Sequence, residues 1–198
     1  MKLFKKVLAM ALASTLALTL LVGCGGNGKT TYTMVEYLND YQKMHGSSQT
    51  FKAEASLDAN AKNVAELVKK SGAKNPYQFK NKLQNDEKLY KDLLTAVGVN
   101  KDTAEKYLYQ VSYTFVSSDP TTDLATKSDV ANDQIEMLMQ SVEDVSVPES
   151  VKVYPDGDTY WRGDVDETKL DSTYYMGTSE LQFGTQKYLV AVFRTAVK

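Results

Sequence analysis

Cysteine and histidine are nearly missing from this sequence: one of each, Cys24 and His45, among 198 residues. One cysteine excludes an internal disulfide, so packing must hold the fold together. One histidine leaves a Ser-His-Asp or Cys-His device a single choice of base. That residue precedes Gly46 at a predicted helix end, where an imidazole favourably meets the helix dipole. The patterns Gly-x-Ser-x-Gly and His-Glu-x-x-His do not occur. A hydrolase built on two carboxylates needs no fixed spacing and stays open. An excess of basic side chains is lacking too, with 23 Lys and Arg against 25 Asp and Glu. Nucleic acid, which needs clustered cations to displace phosphate counterions, is not an expected partner.

What is present begins at the N-terminus. Lys2, Lys5 and Lys6 precede an uncharged run from Val7 to Val22, and Cys24 stands where the run stops, behind Gly23. A positive head followed by an apolar segment is the layout of a secretory signal. With Leu21-Val22-Gly23-Cys24 at its end, this leader resembles the lipobox of bacterial lipoproteins. That resemblance implies a diacylglycerol on the Cys24 sulfur and cleavage that makes Cys24 the first mature residue. A transmembrane anchor is the alternative, but a spanning helix wants about 20 apolar residues. Gly23, Gly25, Gly26 and Gly28 also stand where a basic stop-transfer flank belongs. Two acyl chains suffice for stable anchoring. The expectation is a bacterial protein tethered to the cell membrane and facing its extracytoplasmic side. Removing the three leader lysines leaves twenty basic side chains against 25 acidic ones, a formal charge of −5.

The expected organisation is a signal peptide over 1–23, a lipidated cysteine and flexible linker over 24–31, and one domain over 32–198. Thr33 and Glu36 form a capping-box pattern, and Met34, Tyr37, Leu38, Tyr41 and Met44 recur at helical spacing up to Gly46. Residues 47–53 are ambiguous. Leu57, Ala61, Val64, Ala65 and Val68 mark a second helix that Gly72 closes. Asn75-Pro76 opens a third, with Phe79, Leu83, Tyr90, Leu94 and Val97 as its stripe and Gly98 as its stop. Asp102 and Glu105 could open a short helix. Tyr107 to Val116 alternates as a strand does, although helical spacing of Leu108, Val111 and Phe115 keeps helix open.

Further on, Ser128 caps a predicted helix with Ala131, Ile135, Leu138, Val142 and Val145 on one side. The remainder reads as β. Val151–Tyr154 and Thr159–Arg162 flank the turn Pro155-Asp-Gly-Asp158. Tyr174–Met176 is a candidate strand, and Glu180–Phe183 pairs with Gln186–Val197 across Gly184-Thr185. In that last strand Tyr188, Val190 and Val192 lie on one face, and Leu189, Ala191 and Phe193 on the other. A strand apolar on both faces is covered on both. The expected fold is therefore α+β: an antiparallel sheet covered by helices, sandwich-like in α/β/α layers, with helices mostly N-terminal and strands mostly C-terminal.

Several stretches together carry a resemblance over most of the mature chain. They are Leu38-Asn39 in a helix ending at Gly46, Leu57 with Ala61 and Ala65 on the next helix, and Ser141 after a later one. Tyr175-Met-Gly-Thr178 followed by Tyr188-Leu-Val-Ala-Val-Phe193 completes the set. This order is similar to the CAP superfamily, the cysteine-rich secretory, antigen-5 and pathogenesis-related proteins. The family's metal site uses two histidines and two acidic residues. Neither histidine has a counterpart in 71–79 or after Ser141, so no catalytic or metal residue carries over.

Two groups remain as candidates for chemistry. Asp156, Asp158, Asp164, Asp166, Glu167 and Asp171 form an acidic run that invites calcium. An EF-hand needs glycine at its sixth place, where counting from Asp156 or Asp164 gives Trp161 or Lys169, so a solvated turn is preferred. Tyr154, Tyr160, Trp161, Tyr174 and Tyr175 offer flat apolar faces with polar edges, suited to sugars and peptides, or else they fill the sheet face under a helix. The expected role is a non-enzymatic, lipid-anchored binding module for a peptidoglycan, glycan or peptide ligand, with no cofactor or metal. A hydrolase acting on cell wall and a subunit of an envelope complex are the alternatives.

Overall fold

The computed structural model describes residues 19–21, 31–117, 135–153 and 164–198. Its organising element is a five-stranded sheet, in the order β3 (Thr50–Ala53), β8 (Leu170–Phe183), β9 (Gln186–Val197), β4 (Tyr107–Ser117), β5 (Glu143–Ser146). Two short ribbons accompany it. One pairs β1 (Thr19–Leu21) with β2 (Thr31–Thr33), and the other pairs β6 (Lys152–Val153) with β7 (Asp164–Val165).

The fold is α+β, and β9 lies at the centre of the sheet, as its two apolar faces require. Its Val190 and Val192 pack with Tyr109, Val111 and Leu181 under α2 (Ala55–Lys70), α3 (Pro76–Leu83) and α4 (Glu87–Ala96). Its Leu189, Ala191 and Phe193 pack on the other side, against α1 (Met34–Met44) and the helix over 135–140, α5. Fully burying one such side chain stabilises by roughly 1.5–3 kcal/mol.

Local sequence explains most of the helix ends. Gly46 and Gly72 stop α1 and α2 with φ of 69° and 68°, a left-handed backbone that glycine adopts without strain. The Asn75 side chain accepts from the Gln78 N–H at 2.9 Å and starts α3, with Pro76 in its first turn. The single helix expected from Pro76 to Val97 is in fact two. Asp86 accepts from the Leu89 N–H at 2.9 Å, and so caps a new helix after a break at 84–86. The buried stripe shifts accordingly to Leu89, Leu93 and Ala96. Met44, counted on the α1 stripe, is 77% exposed, and Gln42 is buried instead.

Four further readings need correction. The sheet is mixed, because β3 runs parallel to β8, with Thr50 opposite Thr173 and Ala53 opposite Met176. The ambiguous stretch before α2 thus contains an edge strand, hidden because its only buried side chain is Phe51. Val142 follows α5, and Val145 lies in β5, where it packs with Val111. Residues 101–106 form turns rather than a helix. The hairpin turn Pro155–Asp158 and the strand Thr159–Arg162 fall outside the described residues, but Lys152 and Val153 do pair antiparallel, with Val165 and Asp164.

One polar side chain from α1 and one from α2 fasten those helices to the sheet. The Asn39 amide donates to the Phe51 carbonyl at 3.1 Å and accepts from the Phe51 N–H at 2.7 Å, imitating one more strand beside β3. Where β3 stops, the Asp58 carboxylate accepts from the Thr178 N–H at 2.8 Å. A Cβ on Gly177 would lie 2.1 Å from the Leu57 carbonyl carbon, so only glycine lets β8 pass beneath the first turn of α2.

Candidate functional site

Cys24, Tyr154, Tyr160 and Trp161 lie outside the described residues. Tyr174 and Tyr175 are neighbours on β8, and a strand sends consecutive side chains to opposite faces. They belong to different surroundings. Tyr175 lies beside Arg194, whose guanidinium sits 5.9 Å from its ring and 4.6 Å from that of Tyr107. Glu54 holds the same guanidinium at 2.6 Å. That group fastens α2 to the sheet.

Tyr174 is buried on the α1 side and stands against a cavity of about 200 Å³. Phe51, Tyr174 and Phe193 supply its aromatic wall, Met139 and Val142 add apolar surface, and Gln49, Gln110 and Glu167 bring polar groups to it. The ring centroids of Tyr174 and Phe193 are 5.6 and 5.8 Å from that of Phe51, inclined to it by 35° and 73°. Burial raises the Tyr174 hydroxyl to a pKa of about 12, helped by the negative charges of Glu167 and Asp144. It is a protonated hydroxyl at neutral pH. The Gln110 amide donates to Asp144 at 2.8 Å, which leaves its carbonyl oxygen as an acceptor.

A second cavity, of about 660 Å³, runs along β5 between α3, α4 and β7. Lys80 pairs with Glu143 at 2.7 Å on its wall, and the Tyr90 hydroxyl donates to the Val145 carbonyl at 2.7 Å. Glu167 borders both cavities. Next to this wall Tyr113 is buried with its hydroxyl unpartnered, and burial together with Glu143 pushes that hydroxyl above the ordinary phenol range.

No protein-family model, curated protein or solved structure matches the chain.

His45 is exposed, stacks on Tyr41 at 4.2 Å and donates its Nδ1 proton to the Tyr41 carbonyl at 3.0 Å. It closes the end of α1. Asp166 accepts from the Thr168 N–H and hydroxyl, and Asp171 accepts from the Thr173 N–H, so these carboxylates order their own turns. Among the described residues no three His, Cys, Asp or Glu side chains are grouped to hold a metal ion. Ser141 and Ser112 meet at 2.5 Å, and both reach the Leu138 carbonyl, which ties α5 to β4.

Spacing alone also finds Gly23-Cys-Gly-Gly-Asn-Gly-Lys-Thr30, which spells a phosphate-binding loop. That motif needs a helix at its end, whereas Thr31–Thr33 is a strand. The residues that line the Tyr174 cavity are scattered from Gln49 to Phe193, and no local signal gathers them. The one available hint was Phe51, a lone aromatic in a polar stretch.

Proposed function

We propose that this is a lipid-anchored protein of the bacterial cell surface whose folded domain binds a small ligand of the envelope or its surroundings. The observation that carries the reading is the cavity at Tyr174, where three aromatic rings form a wall and two amides and a carboxylate bring polar groups to it. Sites for small molecules combine apolar walls with polar groups that orient the guest, and this cavity has both. The sequence around Cys24 supports the anchor, and no helix among the described residues is long and apolar enough to cross a membrane. Kinship with the CAP superfamily is part of the proposal. Its support is that Gly177 meets Leu57, and that Asn39 beside Leu38 seals β3.

The test is co-sedimentation of unlipidated residues 25–198 with isolated bacterial envelopes and, separately, with purified sacculi. Binding that a Tyr174→Ala variant loses while keeping its circular dichroism supports the cavity as the site. Binding unaffected by that change moves the site elsewhere, and no binding to either fraction removes the reading. A protein partner is the second reading, favoured by the larger cavity along β5, an edge strand of the sheet. Crosslinking in cells from a cysteine placed at Gln84 would capture such a partner.

A further inference from the structure

We propose that the cavity beside Tyr174 receives a methylated ammonium group, the cationic head of a choline-like ligand. The inference rests on the binding-module reading and names the ligand chemistry of that same site. Three features point to it. First, Tyr174 and Phe193 are inclined to Phe51 by 35° and 73°, and all three rings line one space. The faces of aromatic rings attract cations, more strongly where water is excluded. Second, the field there is negative. Glu167 lies on the rim, the Asp144 carboxylate is close enough to act on the Tyr174 hydroxyl, and among the described residues no lysine or arginine lines the cavity.

Third, the space is small. Pockets for drug-sized molecules begin at about 300 Å³, so a cavity of about 200 Å³ admits a head group and leaves its tail outside. The walls also choose between kinds of cation. A primary ammonium carries three N–H donors and would need acceptors for all of them. The cavity offers one carboxylate, Glu167, and the amides of Gln49 and Gln110, of which Gln110 is already bonded to Asp144, beside apolar walls that include the soft thioether of Met139. A trimethylammonium head has no N–H to satisfy, and its methyl groups fit those walls.

The experiment is calorimetric titration of the full chain in octyl glucoside micelles. The probes are choline and its uncharged carbon isostere, 3,3-dimethyl-1-butanol. Choline is expected to bind saturably, and the isostere about tenfold more weakly, since one cation–π site with a carboxylate contributes on the order of a kcal/mol or more. Glu167→Gln, a change at an exposed residue, is expected to weaken choline severalfold and leave the isostere unchanged. Displacement of choline by phosphatidylcholine dissolved in the same micelles would assign the head to a lipid, and its absence to a free or polymer-borne ligand. Equal binding of both probes, or no choline binding at millimolar concentration, overturns the proposal. Envelope sedimentation run in parallel separates the two readings: if it persists while choline is silent, only the ammonium assignment falls.

Discussion

Asp58 carries its charge where little else can compensate it. One carboxylate oxygen accepts from the Thr178 amide, while the other is buried without a partner, as is the Thr178 hydroxyl. Burial raises the acid to a pKa of about 6, against the downward pull of that hydrogen bond. In the unfolded chain the group titrates near its usual value of about 3.9. Between those values the folded state holds the proton more tightly, so stability falls as pH rises from about 4 to 6 and then levels off. The loss is about 3 kcal/mol at most. Asp58→Asn, neutral throughout, is expected to flatten this part of the profile and to raise the urea midpoint at pH 7. An unchanged slope between pH 4 and 6 would show that Asp58 does not govern it.

At the scale of elements, the edge made by β3 depends on one amide. Asn39→Ala leaves the Phe51 N–H and carbonyl without their partner, a cost of about 1–3 kcal/mol. It also bares an edge strand to other chains. The expected outcome is a lower melting temperature together with concentration-dependent association in light scattering. Destabilisation without association would mean that β3 is too short to recruit a neighbour. The same element shows where the sequence was legible. The alternation through Tyr107–Val116, where the spacing leaves helix open, and the doubly apolar Gln186–Val197 are both strands, because period-two patterns over about ten residues suit a half- or doubly-covered sheet. A four-residue strand with one inward side chain has no period to detect. The break at Asp86 was written in the sequence as a capping residue, but apolar side chains on both sides of it continued the helical spacing. Val142 and Val145 misled in the same way, by fitting a helix that had already ended. For the site, strand alternation separates Tyr174 from Tyr175. The meeting of Tyr174 with Phe51 and Phe193 depends on the parallel β3–β8 pairing, which a sequence pattern does not encode.

For the whole molecule the proposed anchor is the feature to test. Cys24→Ser is expected to abolish incorporation of labelled palmitate in cells and to move the protein from the detergent to the aqueous phase on cloud-point partition. Retention in the detergent phase would point to attachment by another route. Cleavage before Cys24 would also remove Thr19–Leu21, and β2 would lose the strand it pairs with.

The place of β9 bears on when this molecule can exist at all. The strand at the middle of the sheet follows every other strand in chain order, and β3 must wait for a partner 123 residues downstream. During synthesis β4 with β5 and β8 with β3 can therefore form only two separate pairs, which β9 alone joins into one sheet. Such distant pairing makes for slow folding. A nascent chain of this design cannot close its main sheet until β9 has been made.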